Sequence, residues 1–501
     1  MPYATALIRR RAAALAVVAT ACLAALAPAT PAPAAAPPAR FGHAGRWITD
    51  AQGRVVVGHG FNMVYKLPPY DPAAAGFGAD DAAFLAREGF NVVRVGVIWK
   101  AVEPRPGVYS DAYLRRIAAT VRTLAAHGIL SLLDFHQDLW NERFQGEGAP
   151  DWAVQDDGLP NPRNGFPANY YTNPALQRAL DHFWENSPGP GGIGLQDRYA
   201  AAWRHVAGVF RSMRGVLGYE LINEPAPGAS FLSCIGASGC PAFDAELTAF
   251  DRRVARAIRT VDRRTLIFSE PAIGFDFGAQ THVGAPASGP AGFAFHDYCL
   301  AASPNGCPSE PQAFANALAH VARTREALIL TEFGSNPYPG DLTGMVALAD
   351  RDMVPWTEWA YCPCDDPTGR TPDPLVLDPR KPPRGSNLGR LALSTLVEPF
   401  PQLVAGTPLS WGYDRPSATF RLRYSTARAG AGARFRAGSV TIVAVPAASY
   451  HGRYRVRIRG ARVVSPAGAP TLRLASCPGA RVVSATLTPG RASAAARRCR
   501  P

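Results

Sequence analysis

The sequence of 501 residues contains no short tandem repeats and no heptad pattern, which argues against a solenoid or a coiled coil. Beyond the first 40 residues, no apolar run approaches the roughly 20 residues that a membrane-spanning helix needs. An aromatic RNA-binding motif is also absent, so we expect no nucleic-acid partner. The apolar and charged fractions, 47% and 18%, are those of a globular protein, and the length allows two or three domains.

The N-terminus has the pattern of an export signal. Three basic residues, Arg9 to Arg11, precede an apolar segment over 12–27 and Ala-Pro-Ala sequences suited to cleavage. We expect a signal peptide and Pro/Ala-rich leader over residues 1–40, and a secreted, soluble mature protein. Cys22 is a candidate lipid anchor, but the preceding Ala19-Thr20-Ala21 matches a lipobox poorly, so we do not expect a lipoprotein.

Eight cysteines follow Cys22, and an even number in an exported chain predicts disulfides. Cys362 and Cys364 are difficult to pair with each other, since a bridge across two residues is strained. One alternative ties them to Cys299 and Cys307. A zinc site is the rival interpretation, but the spacing is not C-x2-C, and we expect no metal. The plausible local pairs are Cys234–Cys240, Cys299–Cys307 and Cys477–Cys499.

Strand and helix patterns alternate from Phe41 to Gln402, which predicts an α/β protein with one (β/α)8 TIM barrel over 41–402. A hairpin over 47–57 either plugs the barrel bottom or leads into the first strand. The crossover over 272–292 shows no helical period. The eight predicted strands lie at 58–62, 92–97, 129–135, 216–222, 265–269, 293–297, 327–334 and 354–360.

An insertion over 139–196 interrupts this alternation. It is too aromatic for a disordered segment and predicts a lid or platform over the barrel mouth. Its aromatic residues are Trp140, Trp152, Trp184, Phe144, Phe166, Phe183, Tyr170 and Tyr171.

The composition changes near residue 402. Between Ala405 and Pro501 there are seventeen Arg, no Lys and one acid, Asp414, a net charge of +16 against +13 for the whole chain. Alternating polar and apolar runs predict an antiparallel β-sandwich over 403–501. The basic charge indicates either attraction to an anionic surface or merely solvated strand faces, and both interpretations stay open.

Several acids stand at predicted strand ends, where a barrel enzyme carries its chemistry. Glycoside hydrolysis needs two carboxyl groups across one bond. Glu224 on the fourth strand and Glu332 on the seventh lie nearly opposite each other in an eight-stranded ring. Glu270, in Ser-Glu-Pro, imitates Asn-Glu-Pro but lacks the preceding Asn. The full set is Asp138, Glu224, Glu270, Asp297, Glu332 and Glu358.

These motifs resemble glycoside hydrolase family 5, over about residues 45–400. The run His136-Gln-Asp138, the aromatic insertion and the C-terminal sandwich look like the endoglycoceramidase branch, whose members cut between an oligosaccharide and ceramide. The matching segments are Trp47–Val56, Gly60–Asn62, Val93–Val95, Asp134–His136, Asn223–Pro225, His296–Tyr298, Glu332–Gly334 and Trp359.

The resemblance implies a retaining hydrolase with no cofactor. Glu224 would be the acid/base and Glu332 the nucleophile, with the carboxyls ~5 Å apart. Arg94 and Tyr298 would hold Glu332 ionised. The other implied roles are the sugar 2-hydroxyl for Asn223, first-subsite hydrogen bonds for His136 and His296, sugar binding for Lys66, Asp138 and Trp184, and a stacking platform for Trp359.

Three functions are compatible with these residues. The first is cleavage of a glycolipid between glycan and ceramide by a monomer that contacts a micelle or membrane through its aromatic insertion and basic C-terminal domain. The second is another family 5 β-glycosidase or endoglucanase acting on soluble or polymeric glycans. The third is an inactive carbohydrate- or glycolipid-binding protein. Trp184 in turn has an alternative role, as packing within the insertion.

Overall fold

The computed structural model describes residues 40–286, 289–491 and 498–499. The predicted signal peptide and Cys22 lie outside the described residues. Within the described ranges, no helix combines the length and apolar character needed to cross a bilayer.

The chain begins with three short strands, β1 (Phe41–Ala44), β2 (Trp47–Asp50) and β3 (Val55–Val56). β1 and β2 form an antiparallel hairpin. Side chains of Phe41 and Ile48 join a buried cluster with Leu130, Leu217 and Ala327, which lie near the amino ends of barrel strands. The hairpin therefore plugs the barrel bottom, the first of its two predicted placements.

Eight parallel strands form a closed barrel, in which each strand pairs with the next along the chain and the last pairs with the first. This confirms the predicted TIM barrel. The strands are β4 (His59–Met63), β5 (Val92–Val97), β6 (Leu130–Phe135), β7 (Val216–Glu220), β8 (Leu266–Ser269), β9 (Ala291–Asp297), β10 (Ala327–Phe333) and β11 (Trp356–Glu358).

Helices surround the barrel and bury one apolar side against it. Ser110 caps α3 by accepting a hydrogen bond from the N–H of Tyr113, and the helix buries Leu114, Ile117 and Leu124. Between β8 and β9 the described residues form only a short 3-10 helix, Ile273–Phe277. The helices are α1 (Ala79–Arg87), α2 (Trp99–Val102), α3 (Asp111–Ala126), α4 (Asn169–Thr172), α5 (Pro174–Trp184), α6 (Leu195–Phe210), α7 (Phe231–Cys234), α8 (Pro241–Arg259), α9 (Glu310–Thr324), α10 (Pro339–Asp352), α11 (Arg390–Leu396) and α12 (Ala447–Tyr450).

The aromatic insertion differs from a simple lid. Most of its aromatic side chains are buried, and Trp140 and Phe183 pack against Trp99 of α2. Only Phe166 and Tyr171 among its large aromatic residues are clearly exposed. The insertion is therefore mainly a second packing layer against the helices, because aromatic rings of this size gain most from full burial.

The C-terminal strands form two antiparallel sheets that share one apolar core. The larger sheet has the order β1-β2-β3-β12-β15-β18-β17, and the smaller has the order β13-β14-β19-β16. Three strands of the larger sheet come from the other end of the chain, which the predicted division at residue 402 did not anticipate; the boundary itself stays a prediction. The strands are β12 (Phe400–Val404), β13 (Thr407–Asp414), β14 (Thr419–Ser425), β15 (Val440–Ala444), β16 (Tyr454–Arg459), β17 (Ala461–Val463), β18 (Thr471–Ser476) and β19 (Val482–Pro489).

Arginines occupy the outer face of the smaller sheet. On β14 and β16 the apolar side chains alternate with exposed Arg, as the period-two pattern predicts. β14 and β16 both pair with β19, so their arginines share one face. This basic face consists of Arg421, Arg423, Arg455, Arg457 and Arg459.

The eight cysteines after Cys22 form four local disulfides. The alternative that joined Cys299 and Cys307 to Cys362 and Cys364 is wrong. The Cα atoms of Cys362 and Cys364 lie 5.1 Å apart on either side of Pro363, within the range for a bridge. Three of these bridges, Cys234–Cys240, Cys299–Cys307 and Cys477–Cys499, are the local pairs that the sequence predicts.

Candidate active site

The two candidate catalytic carboxyls meet at the carboxyl end of the barrel. Glu332 lies in β10, the seventh barrel strand, and Glu224 follows β7, the fourth. One carboxylate oxygen of Glu224, one of Glu332 and a ring nitrogen of His296 lie within 4.8 Å of one another. This separation suits direct attack by one carboxylate better than the wider gap that an intervening water requires.

Glu224 is held in an unusual backbone conformation. Its φ is 41°, which a residue with a long side chain rarely adopts. Its N–H donates to Oε1 of Glu270 at 3.0 Å, and its carbonyl accepts from Nε2 of Gln137 at 3.1 Å. Neighbouring side chains thus fix the turn before Pro225 and aim the Glu224 carboxyl.

The surroundings of Glu224 favour its protonated form. Burial, reinforced by the negative charge of Asp138, raises the pKa of Glu224 to about 7. Nδ1 of His296 lies 3.0 Å from Oε1 of Glu224. Burial lowers the pKa of His296 to about 3, so this ring is neutral near pH 7. Glu224 is therefore suited to donate a proton at neutral pH.

Glu332 has the opposite environment. It forms an ion pair with Nη1 of Arg94 and accepts a hydrogen bond of 2.7 Å from the hydroxyl of Tyr298. Burial raises the pKa of Tyr298, and the charge of Glu332 adds to this, so the phenol stays a donor. Burial alone would lower the pKa of Arg94, but the surrounding carboxylates raise it. Arg94 thus remains a cation that stabilises ionised Glu332.

Asn223 and His136 lie beneath the pocket. Oδ1 of Asn223 accepts from Nη2 of Arg94 at 2.8 Å, and its Nδ2 donates to the carbonyl of Gln137 at 3.0 Å. Burial would lower the pKa of His136, but the hydrogen bond to Asp134 and the nearby charge of Asp138 raise it to about 10. Both side chains are almost fully buried and neither lines the pocket, so their contacts with a sugar stay a prediction.

Lys66 organises the polar wall of the site. Its Nζ forms ion pairs with Asp138 and, at 2.9 Å, with Asp366, and donates to Oγ1 of Thr368 at 2.7 Å. The same Nζ lies 4.5 Å from the ring centroid of Trp359. An aromatic face beside paired charges is a typical surface for a sugar ring, which presents both C–H and O–H groups.

These residues line a pocket of about 700 Å³ with two chemically different ends. Lys66, Asp138, Trp359, Asp366 and Thr368 form the polar end, and the two candidate catalytic carboxyls also line it. Six of the fourteen exposed large apolar residues of the described chain line the other end. This apolar rim consists of Phe166, Tyr171, Leu232, Ile235, Phe277 and Leu300.

Comparison with known families decides the class. The sequence model for cellulase (glycosyl hydrolase family 5) matches residues 51–365, and that for the glycoside hydrolase family 5 C-terminal domain matches 399–483. The chain belongs to glycoside hydrolase family 5. It is therefore a glycoside hydrolase by family, as its strand-end carboxyls predict.

Among family 5 relatives, the chain is 32% identical to endoglycoceramidase I of Rhodococcus hoagii (strain 103S), over 85% of this chain and 83% of the relative. It is 28% identical to endoglycoceramidase of Hydra vulgaris, over 76% of each. The solved structure of endo-glycoceramidase II from Rhodococcus sp. superposes with a TM-score of 0.72 at 29% identity, covering 89% of this chain and 99% of that one. Other structures of that protein contain a lactosyl-enzyme intermediate and a ganglioside complex.

Within this family 5 site, one expected residue is elsewhere. Nε1 of Trp184 donates to the carbonyl of Ala226 at 2.8 Å, and its ring meets Phe243 and Phe250 edge-on. Trp184 does not line the pocket. Its position matches the alternative role as packing, because the indole satisfies its N–H and buries its rings without a ligand.

Sequence reasoning missed several residues of the family 5 site. Asp134 and Glu220 contact Arg94 at 3.2 and 3.0 Å. Asp134 stands in a segment that resembles family 5, but no role was predicted for it, and only a position within a predicted strand hinted at Glu220. Glu270, which the sequence analysis set aside as nucleophile or acid, accepts a hydrogen bond from the Glu224 N–H. Asp366 and Thr368 lie in a loop without periodic signal, beside the unusual Cys-Pro-Cys run, and only the fold brings them to Lys66.

Proposed function

We propose that this family 5 hydrolase cleaves the β-glycosidic bond between a glycan and ceramide, with retention of anomeric configuration. The separation of the Glu224 and Glu332 carboxyls supports retention. The relatives named endoglycoceramidase, matched over most of their length, support the substrate class.

In the first step, Glu332 attacks the anomeric carbon while Glu224 gives its proton to the departing ceramide oxygen. A glycosyl ester on Glu332 results. In the second step Glu224, now ionised, takes a proton from water, which attacks the same carbon and frees Glu332. Arg94 and Tyr298 keep Glu332 charged before attack and compensate the carboxylate again as it leaves.

The observation that carries the lipid part of the proposal is the apolar rim beside the catalytic pair. A soluble polysaccharide would place sugars on both sides of the cleaved bond and would gain little from exposed Leu232 and Leu300. Burying a leucine side chain in lipid contributes roughly 1.5–3 kcal/mol. The rim therefore favours a substrate with an apolar leaving group.

The rim also supports contact with a micelle or membrane that holds the substrate. Leu300 and Leu232 are 84% and 63% exposed and line one pocket with the other rim residues, and such a grouped apolar surface is typical of an interaction site. Only Phe166 and Tyr171 come from the aromatic insertion, so the contact draws more on the loops after β7, β8 and β9. We also propose that the basic face contributes to this contact. The proposal further includes a monomeric protein that is secreted through its N-terminal leader.

A side-by-side assay tests the function. Purified enzyme is given fluorescent glycosylceramide in detergent, soluble β-glucan and β-mannan, with ceramide and reducing sugar measured separately. We expect ceramide release with an intact glycan and little action on the polysaccharides. Hydrolysis of a polysaccharide without ceramide release would reject the proposal in favour of a soluble-glycan glycosidase; binding without turnover would indicate an inactive lectin-like protein.

A further inference from the structure

A second polar cavity, of about 320 Å³, adjoins the polar end of the catalytic pocket. Asp366 and Arg370 line both cavities, so the two are neighbours that share a wall. The walls of the second cavity follow the first and eighth barrel strands, β4 and β11. They include Tyr65, Asp365, Asp378 and Arg380.

The position of this cavity relates it to the substrate. The apolar rim belongs to the loops after β6, β7, β8 and β9, whereas the second cavity belongs to the loops after β4 and β11. Glu224 and Glu332 line the pocket that the rim borders, and neither lines the second cavity. If ceramide leaves across the rim, the glycan extends the other way, past Lys66 and towards the second cavity.

The chemistry of the cavity suits sugar hydroxyls, which both donate and accept hydrogen bonds. Asp378 accepts from Nε of Arg380 at 2.8 Å and pairs with Lys381 at 3.2 Å, so its carboxylate is held in place. Tyr65 adds a partly exposed ring. Donors, acceptors and an aromatic surface in one concave site favour a carbohydrate over an acyl chain.

We propose that this second cavity is an outer glycan subsite, which binds a sugar more distant from the cleaved bond than those that contact Trp359 and Lys66. The inference rests on the proposed function. Such a site is remote from the reacting carbon, so it binds ground state and transition state alike. It therefore lowers KM for long glycans and leaves kcat unchanged.

The test compares lactosylceramide with a neutral tetraosylceramide on the same ceramide. Tyr65→Ala and Arg380→Ala are made separately, and Arg384→Ala, exposed on the same loop but outside the cavity, is the control. We expect each test variant to raise KM for the tetraosyl substrate about two- to tenfold, the value of one or two hydrogen bonds. In the test variants, KM for lactosylceramide and kcat for both substrates should change less than about twofold. In Arg384→Ala, KM and kcat for both substrates should also change less than about twofold.

Equal losses on both substrates, or no loss on either, would overturn the outer subsite. Thermal unfolding checks that each variant is folded; if Tyr65→Ala is destabilised, Arg380→Ala decides. If wild-type enzyme cleaves lactosylceramide and the tetraosylceramide with the same KM, the outer subsite is rejected while the proposed function stands. Wild-type enzyme that cleaves neither overturns the proposed function, and the subsite with it.

Discussion

Glu224 illustrates how one residue acquires its chemistry from its neighbours. Burial and the charge of Asp138 raise its pKa to about 7, while buried His296 stays neutral beside it. Glu332, less than 5 Å away, is compensated by Arg94 and Tyr298. Two chemically identical carboxyls thus occupy opposite roles because of position alone.

The raised pKa of Glu224 predicts a pH profile. Glu224 must be protonated in the first step, so activity is present below pH 7 and falls as pH rises through about 7. Asp138→Asn removes the charge that raises this pKa, and we expect the alkaline limb of kcat/KM to move to lower pH. An unchanged limb in Asp138→Asn, measured between pH 4 and 9, would contradict the assignment.

Removal of either carboxyl should nearly abolish turnover. We expect Glu224→Ala to lower kcat about 10²–10⁴-fold, the usual contribution of a general acid, and Glu332→Ala to lose at least as much. Azide should restore glycosyl transfer as a glycosyl azide, of opposite anomeric configuration in the two variants. Glu270→Gln, which keeps an oxygen acceptor for the Glu224 N–H, is the matched comparison and should lose much less. Full activity of Glu332→Ala would reject its role.

At this scale, the sequence indicated the residues that stand in recognisable motifs, including the supports Arg94 and Tyr298, and missed supports outside such motifs, such as Glu220 and Asp366. Asn223-Glu224-Pro225 marks its own strand end, so its place on the fourth strand followed from counting strands. Asp366 contacts Lys66 across 300 positions of sequence, and no periodicity predicts such a contact. For Trp184 the sequence allowed two roles, sugar binding and packing. No sequence signal distinguishes these roles for an aromatic residue near the predicted barrel mouth.

At the scale of elements, buried acids of α10 and of the segment before β12 meet the sandwich. Nε1 of Trp411 donates to Asp350, and Glu398 pairs with Arg415 at 3.0 Å. Burial raises the pKa of Asp350 to about 7, and burial with the charge of Asp350 raises that of Glu398. Near neutral pH the folded protein therefore keeps a proton on this pair of carboxyls, whereas the unfolded chain does not.

This shared proton predicts the pH dependence of stability. The pKa of Asp350 is higher in the folded protein than in the unfolded chain, where it is near 4. Its contribution to stability is therefore fully present below about pH 4 and is lost as the pH rises through about 7. Asp350→Asn keeps an acceptor for Trp411 and needs no proton. We expect its Tm to exceed that of wild type by about 2 °C or more at pH 8, and to match it at pH 5.

Asp352→Asn, on the same helix but paired with the exposed side chain of Arg351, is the control and should leave Tm unchanged. A Tm of Asp350→Asn below wild type at both pH values would mean that the carboxylate itself stabilises this contact.

The elements themselves were largely predictable, because each barrel strand is a short apolar run between turn residues. The hairpin β1–β2 was harder, since its alternation fits either a barrel plug or an early strand. Its pairing through β3 with β12 depends on residues some 350 positions away. Likewise the insertion shows its aromatic content in sequence but not the helices α2 and α6 against which it packs.

For the whole molecule, the apolar rim predicts interfacial behaviour. We expect the double variant Leu232→Ser with Leu300→Ser to lower kcat/KM on micellar glycosylceramide roughly tenfold. A soluble aryl β-glycoside, which needs no lipid surface, should be hydrolysed within about twofold of wild type. Leu409→Ser, 43% exposed on the sandwich and outside the pocket, controls for lost surface apolarity. Equal losses on both substrates would argue against a lipid contact.

The most direct measurement follows lactosylceramide hydrolysis by proton NMR in detergent, before mutarotation equilibrates the product. The proposed mechanism predicts that β-lactose appears first, as an intact disaccharide, with ceramide released in equal amount. Initial α-lactose would contradict the roles of Glu224 and Glu332, and galactose or glucose without free ceramide would contradict cleavage at the lipid.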